Sequence, residues 1–189
     1  IEEQLFSSCS NGNVEELKQL LINNPQMNLN CTIIGTLTPF YIACQEGHTE
    51  IVKILLNDKR GVDVSQANYF LETPFYSACE KGHIEIVKLL LNDERVDINK
   101  PNQYRRTPFY VACRGEHVEI VKILLNDKRV KVNGVDQYGI TPLKIASERG
   151  HIEIVKLLLN DERVKVNKAD QDGWTPFHSA CGNGEIEII

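Results

Sequence analysis

The sequence has no long apolar run and no excess of positive charge. Its 189 residues include 21 Lys and Arg against 26 Asp and Glu, for a net charge of −5. A membrane-spanning helix needs about 20 apolar residues, and Lys or Glu interrupts stretches such as residues 86–91. Nucleic-acid-binding domains usually carry a basic stripe. The composition therefore argues against a membrane span, an anionic membrane surface and a nucleic-acid partner, with only Tyr104-Arg105-Arg106 as weak support for the last.

Motifs for catalysis are also missing. Outside a repeating pattern, the sequence contains no nucleophile motif, no phosphate-binding loop and no paired carboxylates. Catalysis by side chains requires such groups within hydrogen-bond reach of one another. We therefore expect no catalytic residue, no metal site and no cofactor in this segment, although a catalytic domain elsewhere in a parent chain remains open.

The chain instead repeats one phrase of about 34 residues. Thr-Pro followed by Phe or Leu recurs at intervals of 35, 34, 34 and 34 residues, beginning at Thr38, Thr73, Thr107, Thr141 and Thr175. A repeat this short cannot bury its apolar face alone, so neighbouring copies must pack together. The spacing predicts one continuous array of six repeats, at residues 1–35, 36–70, 71–104, 105–138, 139–172 and 173–189. Because the chain begins without Met and ends within a repeat, we expect it to belong to a longer protein.

Each repeat is predicted to form two short helices and a projecting turn. Thr107 and Pro108 begin one first helix as its cap and first residue. Helical spacing then predicts a second helix that ends near residues 126–127, from the stripe Ile120, Val121, Leu124 and Leu125. Glycines in the left-handed conformation are expected to end the first helices, at Gly47, Gly82, Gly150 and Gly184. An extended segment at residues 130–133 and a turn at residues 136–139 complete the repeat.

Cysteine and histidine recur at fixed positions of the repeat. The cysteines of one first-helix position are Cys9, Cys44, Cys79, Cys113 and Cys181. Packed helices lie roughly 8–10 Å apart, beyond the Cα distance of about 7 Å that a disulfide tolerates. We therefore expect small buried thiols and an intracellular, cytoplasmic or nuclear location. Cys31 lies outside this position and is predicted to be an idle surface thiol, with a reactive thiol as the alternative. The histidines beside the inter-helix turn cannot converge on one metal and are expected to make structural hydrogen bonds: His48, His83, His117 and His151.

These motifs resemble the ankyrin repeat. Residues 73–79, 82–91 and 96–99 are similar to the family's Thr-Pro-Leu-His-x-Ala-Ala, Gly-His and Val-Asn elements. The resemblance covers essentially the whole chain. It implies an all-α ankyrin-repeat solenoid of stacked helix-turn-helix repeats with projecting β-hairpin-like fingers. Glu3 and Gln4 replace Thr-Pro in the divergent first repeat, and this polar entry suits an end cap without a preceding neighbour.

The sequence departs from the family pattern at four kinds of position. Only His178 keeps the family's His after Thr-Pro-Leu, so the backbone tie of that His is not carried over to Tyr41, Tyr76, Tyr110 and Lys144. An added residue after the second helix predicts a longer turn with Asn or Asp at positive φ. Gly115 stands one position early, which predicts local strain. The finger glycine is kept at Gly139 and Gly173, and its replacement predicts a different turn at Leu71 and Arg105.

The resemblance also implies where a partner binds. In ankyrin repeats, partners contact mainly the fingers and the exposed positions of the first helix. The finger positions here are Tyr69, Phe70, Glu72, Gln103, Tyr104, Arg106, Gln137, Tyr138, Ile140, Gln171, Asp172 and Trp174. The first-helix positions are Glu80, Lys81, Arg114, Glu148 and Arg149. Because Tyr, Trp and Arg are enriched at binding hot spots, we predict partner binding here, with mutual stacking of the finger aromatics as the alternative.

Two functions follow from this interpretation. The first is a non-catalytic, monomeric module that binds a protein partner. The second is a spacer or regulatory arm of a larger enzyme or channel, which the apolar residues Ile186, Ile188 and Ile189 favour because further chain would have to cover them. Asn99, Asn133 and Asn167 occupy a position that is hydroxylated in some ankyrin proteins, and hydrogen bonding in the turn is their expected role. The sequence does not identify the partner.

Overall fold

The computed structural model describes residues 1–33 and 36–182. The chain divides into two compact units, Ile1–Asp97 and Ile98–Ile189, with the boundary inside the third predicted repeat. Within the described residues the secondary structure consists of eleven helices and an isolated antiparallel bridge between Ile33 and Leu37. The fold is therefore all-α, as the periodicity predicts.

The first unit contains six helices in three antiparallel pairs. They are α1 (Glu2–Asn11), α2 (Val14–Asn23), α3 (Pro39–Glu46), α4 (Thr49–Leu56), α5 (Pro74–Lys81) and α6 (Ile84–Leu91). Each first helix packs against its own second helix, and α3 packs against both α1 and α5, so these three first helices lie side by side. The second helices α2, α4 and α6 form a looser second row.

The second unit repeats this arrangement over its described residues. Its helices are α7 (Pro108–Arg114), α8 (Val118–Asn126), α9 (Pro142–Glu148), α10 (Ile152–Leu159) and α11 (Pro176–Gly182). Here α9 packs between α7 and α11, and α8 packs against α7 and α10. The predicted end of the second helix near residues 126–127 is confirmed by α8.

A buried threonine begins the first helices of the second to fifth repeats. The Thr107 hydroxyl accepts the backbone N–H of Tyr110 at 3.1 Å, and Pro108 follows at the first helical position, where no amide is needed. Thr38, Thr73 and Thr141 make the same bond. The predicted caps are thus confirmed, and they fix where each first helix starts.

The core lies between the two rows of helices. The first helices contribute almost completely buried aromatic side chains, those of Phe40, Phe75 and Phe109. The second helices α4, α6, α8 and α10 contribute one Ile-Val-x-x-Leu stripe each, for example Ile120, Val121 and Leu124, whereas α2 contributes Leu17. Small Ala and Cys side chains fill the remaining positions of the first helices, which lets neighbouring helices approach closely. Removal of this apolar surface from water is the main stabilising force.

The turn after the second helix differs from the prediction. The Asn residues at its start have ordinary negative φ values, such as −90° at Asn57 and −87° at Asn92. Asp58 instead accepts the backbone N–H of Arg60 at 3.0 Å and pairs with its guanidinium at 2.6 Å. The Arg60 guanidinium also donates to Asn24 O of the preceding repeat at 2.9 Å. These bonds accommodate the added residue, so the predicted positive φ is wrong.

The predicted extended segment at residues 130–133 is also wrong. Val130 N donates to Asp127 O and Gly134 N donates to Lys131 O, both at 3.2 Å, so two consecutive turns occupy this stretch. Asn133 connects this stretch to the equivalent turn of the following repeat, because its amide donates to Arg163 O at 2.7 Å and its oxygen accepts Lys165 N–H at 2.8 Å. Asn99 bonds likewise to Arg129 and Lys131, so both residues make turn hydrogen bonds, but with the turn of the following repeat.

Glycine ends the first helices where predicted. Gly47, Gly82 and Gly150 have φ values of 82°, 80° and 69°, whereas Gly184 lies outside the described residues. In the repeat where Gly115 stands early, Glu116 takes the left-handed conformation with φ 61°. A non-glycine residue in this conformation costs about 1–2 kcal/mol. The predicted local strain is confirmed, and it falls on Glu116.

The cysteines follow the prediction at four positions and depart from it at two. Cys9, Cys44, Cys79 and Cys113 are completely buried, and all six cysteines are unpaired. Cys31 is buried rather than a surface thiol, because the loop after α2 turns alternate side chains inward, with Met27 and Leu29. Cys181 is exposed on α11, the last helix of the described residues.

Candidate partner-binding surface

Four turns of identical design project between the repeats. These fingers are residues 68–72 in the first unit and residues 102–106, 136–140 and 170–174 in the second. In each, the first residue donates its N–H to the carbonyl of the fifth, and the fourth donates back to the first. The side-chain oxygen of the first residue accepts two further backbone N–H groups, as Asp136 does from Tyr138 and Ile140 at 2.9 and 3.1 Å. Four hydrogen bonds therefore hold five residues rigidly.

The fourth finger residue is left-handed whether or not it is glycine. Gly139 and Gly173 have φ 83°, and Leu71 and Arg105 have φ 61° and 62°. The prediction of a different turn in the fingers without glycine is therefore wrong. The Asn68 and Asn102 side chains make the same bonds as the aspartates, and these bonds enforce the left-handed residue despite its cost.

Three of the fingers are also tied to the first helix that precedes them in the chain. Asn68 Nδ2 donates to the Tyr41 hydroxyl at 2.9 Å in the first unit. In the second unit, the Tyr110 hydroxyl donates to Asp136 at 3.3 Å and Lys144 Nζ donates to Asp170. The sequence has Tyr or Lys where the family has the His that ties the backbone. In these fingers the Tyr and Lys side chains make the tie instead. The sequence indicates these bonds, because the first residue of every finger is Asn or Asp, whose side chain can bond to a Tyr hydroxyl or a Lys ammonium.

The histidines make the expected structural bonds between repeats. His48 Nε2 donates to Ser10 O at 2.9 Å, and His83 Nε2 donates to Gln45 O at 2.8 Å. A Cβ on Gly12 or Gly47 would lie 2.6 Å from Cε1 of His48 or His83 respectively. Each glycine is therefore required both by its positive φ and by the imidazole of the next repeat.

The finger aromatics are exposed. The exposed fractions are 78% for Tyr69, 46% for Phe70, 38% for Tyr104, 55% for Tyr138 and 52% for Trp174. Leu71, which is not among the predicted site residues, is also exposed, at 54%. Exposed apolar surface of this kind on a rigid turn is available for contact with another molecule.

Mutual stacking does not account for the aromatic row. In the described part of the chain, the ring–ring contacts of finger aromatics are those of Tyr69 with Phe70 and of Trp174 with His178. Successive fingers of the second unit are joined through backbone instead, since Gln137 N donates to Tyr104 O and Gln171 N donates to Tyr138 O. The rings of Tyr104 and Tyr138 are therefore partly exposed without a contact to another aromatic ring among the described residues.

Arg106 lies between two aromatic rings and near a buried carboxylate. Its guanidinium lies 5.5 Å from the Tyr104 ring centroid and 5.9 Å from that of Tyr110, and its Nε is 3.9 Å from Asp136 Oδ2. The buried Nε has no hydrogen-bond partner among the described residues. Cation–π contact with two rings fixes this side chain in place.

Many of the predicted site residues line two open clefts, one in each unit. In the first unit, Tyr69, Phe70, Glu72, Glu80 and Lys81 line a cleft of about 340 Å³. In the second unit, Glu148, Arg149, Asp172 and Trp174 line a cleft of about 690 Å³. Outside both clefts, Gln103 and Gln171 are exposed, and Arg114, Gln137 and Ile140 are half-buried.

Neither a membrane helix nor a metal cluster is found in the described ranges. No helix within residues 1–33 and 36–182 has the length and hydropathy to cross a bilayer. The same ranges contain no group of three or more His, Cys, Asp or Glu side chains suited to hold a metal ion. The two clefts present aromatic rings, carboxylates and cationic groups to solvent.

Comparison with known families agrees with the helix pairs. A family model described as ankyrin repeats (3 copies) matches residues 5–102, 61–136, 94–170 and 128–189, which together cover residues 5–189. No match to a curated protein was found. The family match extends over nearly the whole chain and includes every finger.

Proposed function

Because the chain belongs to the ankyrin repeat family, whose repeats generally serve as protein–protein interaction modules, we propose that it is a non-catalytic module that binds a protein partner. Its binding surface comprises the fingers and the exposed positions of the first helices. The observation that supports this proposal is the set of exposed aromatic side chains on hydrogen-bonded turns, such as Tyr104, Tyr138 and Trp174.

Rigidity of the fingers favours binding. Ordering a loop and its side chains on association costs free energy, about 0.5–1.5 kcal/mol for each flexible side chain. The backbone of each finger is already held by four hydrogen bonds, so this cost is largely absent for the backbone. A Tyr or Trp side chain adds a large contact area with only two rotatable bonds.

The test is a triple variant in the second unit, Tyr104→Ala, Tyr138→Ala and Trp174→Ala. It is used as bait beside the unaltered chain, and captured proteins are identified from native lysate. Hot-spot aromatics contribute at least about 2 kcal/mol each, so the partner is expected to be lost from the triple variant. The melting temperature is expected to change by a few degrees at most because these rings are exposed.

A matched control replaces three exposed lysines of the second helices, Lys53→Ala, Lys88→Ala and Lys156→Ala. This control is expected to retain the partner. If the triple aromatic variant retains every captured protein, the proposal is wrong. If it melts far below the unaltered chain, the aromatic row has a structural role and the proposal loses its support.

A second function, a spacer or regulatory arm, is favoured by an apolar patch in the second unit. Phe177 is 57% exposed, whereas Leu143 at the same position of the preceding repeat is 3% exposed. Leu159 and Val166 are exposed beside it and line the same small cleft. The residues on which the sequence analysis based this function, Ile186, Ile188 and Ile189, lie outside the described residues. A regulatory arm would bind an adjoining domain of its own chain, which limited proteolysis of the full-length protein would detect as protection of this patch.

The unpaired cysteines are consistent with a reducing location, and we place the module inside the cell, in the cytoplasm or the nucleus. We further propose that it acts as a monomer. Sedimentation equilibrium at several concentrations tests the oligomeric state, and a mass of 21.5 kDa is expected throughout.

A further inference from the structure

The cleft of the first unit has aromatic walls that meet at a right angle. Tyr69 and Phe70 contact each other edge to face, with ring centroids 5.6 Å apart and an interplanar angle of 85°. Both rings line the cleft of about 340 Å³ together with Tyr41, Gln45 and Ser77. Two ring faces at right angles offer a corner into which a flat or cationic group fits.

Negative charge is concentrated at the same cleft. Glu72 and Glu80 line it, and the exposed Lys81 is the cation in its lining, which leaves a net charge of −1. The Tyr41 hydroxyl responds to this charge. Burial, together with Glu72 and Glu80, raises the pKa of Tyr41 to about 12 against the opposing hydrogen bonds with Ser77 and Asn68. The two carboxylates therefore act on the interior of the cleft.

The two compact units carry opposite net charge. Residues 1–97 include 14 Asp and Glu but only 7 Lys and Arg, for a net charge of −7, whereas residues 98–189 include 12 and 14, for a net charge of +2. The acidity of the whole chain therefore resides in the first unit. A field of one sign attracts partners of the opposite sign and accelerates their association.

We propose that this cleft, which we call the Tyr69–Phe70 cleft, binds an Arg or Lys side chain from a basic segment of the protein partner. The cation lies against the two rings, where their π faces attract it, and bonds to the carboxylate of Glu80. Arginine is the preferred residue because its planar guanidinium stacks on a ring and donates to a carboxylate at the same time. This inference rests on the proposed function, since it names the chemistry of the partner.

The experiment uses a blocked peptide with three Gly-Ser-Arg triplets and the full 189-residue chain. Its affinity is measured by calorimetry, and its site is mapped by backbone amide chemical shifts. The largest shifts are expected in residues 69–72 and 80–82. A peptide with Lys in place of Arg is expected to bind several-fold more weakly, and one with Glu is expected not to bind.

Two sets of variants separate the cleft from general attraction to an acidic surface. Tyr69→Ala with Phe70→Ala leaves the net charge unchanged, and at least a fivefold loss of affinity is expected. Glu80→Gln is expected to reduce affinity similarly, while Glu94→Gln, an exposed acid of the same unit, removes the same charge with little effect. Equal affinity in all variants would show attraction by net charge alone and overturn the inference.

Each variant is first melted to confirm its fold. If the double aromatic variant is destabilised, Tyr69→Ala alone carries the test because Tyr69 is 78% exposed. Failure of this inference is distinguishable from failure of the proposed function. If the Tyr69, Phe70 and Glu80 variants bind the peptide as well as the unaltered chain does, while a captured partner still depends on Tyr104, Tyr138 and Trp174, only the cationic site is refuted. If the captured partner binds equally well without any of the finger aromatics, both proposals are refuted.

Discussion

Lys144 and Asp170 form a buried ion pair that connects the helix α9 to the finger at residues 170–174. Their side chains are 5% and 8% exposed, and Lys144 Nζ also lies 3.1 Å from Glu148 Oε1. The other oxygen of Asp170 accepts the backbone N–H groups of Asp172 and Trp174. One carboxylate thus shapes the turn that presents Trp174 and secures it to the second unit.

The first prediction concerns Asp170→Asn. The amide keeps an oxygen for the turn but presents a donor to the Lys144 ammonium, which retains Glu148 as its carboxylate partner. Breaking a buried pair costs about 3–5 kcal/mol when the charge is left uncompensated, and because Glu148 remains we expect Asp170→Asn to lower the free energy of unfolding by about 3 kcal/mol or less. Urea denaturation measures it. Adding Lys144→Tyr recreates the Tyr41–Asn68 bond of the first unit, so the double variant is expected to recover most of the loss.

The control for this prediction is the pH dependence of the stability that the Lys144–Asp170 pair contributes. The Lys144 ammonium and the turn N–H groups outweigh desolvation and lower the pKa of Asp170. Its stabilisation is therefore complete above the unfolded value of about 3.9 and disappears as the pH falls through the lower folded value. The double variant lacks this carboxylate, so its stability relative to the unaltered chain is expected to improve between pH 5 and pH 2. An unchanged difference across this range would contradict the assigned pairing.

The second prediction uses two glycines with almost the same backbone. Gly47 and Gly61 have φ values of 82° and 78°, but a Cβ at Gly47 would meet His83 Cε1 at 2.6 Å, whereas nothing lies within 4 Å at Gly61. We expect Gly61→Ala to cost about 1 kcal/mol through backbone strain. Gly47→Ala is expected to cost about 1–3 kcal/mol more because it displaces His83 from Gln45 O. Thermal melts of both variants measure the difference, and equal costs would show that the imidazole bond contributes nothing.

The third prediction concerns the fingers without glycine. Leu71 has φ 61° and an exposed side chain, so Leu71→Gly removes strain and little contact. The relief of about 1–2 kcal/mol is partly offset by the greater flexibility of glycine in the unfolded chain. A net gain of about 0.5–1 kcal/mol is expected in chemical denaturation. Gly173→Ala is the reciprocal control, since it introduces the same strain without a steric contact, and it is expected to lose about as much as Leu71→Gly gains.

The periodicity predicted the helices and the core because both depend on residue type and spacing alone. Thr107 and Pro108 identify a helix start wherever they occur, and the stripe beginning at Ile120 has helical spacing in any context. The prediction of a different turn at Leu71 and Arg105 was wrong because it rested only on the preference of glycine for the left-handed conformation. The conformation of these residues is set by Asn68 and Asn102, whose side-chain bonds override the preference of the left-handed residue itself.

The candidate site was predictable in position but not in detail. Register alone places Tyr69 and Phe70 at a finger, yet their right-angled contact and the cleft beside them depend on side-chain rotamers that spacing does not determine. Cys31 shows a similar limit. It lies outside the repeated cysteine position, and only its alternation with Met27 and Leu29 indicates that the loop after α2 is half-buried.

The last prediction concerns thiol reactivity, which follows burial. Burial raises the pKa of Cys9 to about 12 and raises the pKa of Cys31, Cys44, Cys79 and Cys113 as well. Because the thiolate is the reactive form, these five cysteines are expected to react slowly with an aromatic disulfide reagent at pH 8. Cys181 is exposed, so the folded chain is expected to show one fast thiol, and all six in urea. Cys181→Ser removes the fast phase and Cys31→Ser leaves it intact, whereas a fast phase lost with Cys31→Ser would contradict the burial of that loop.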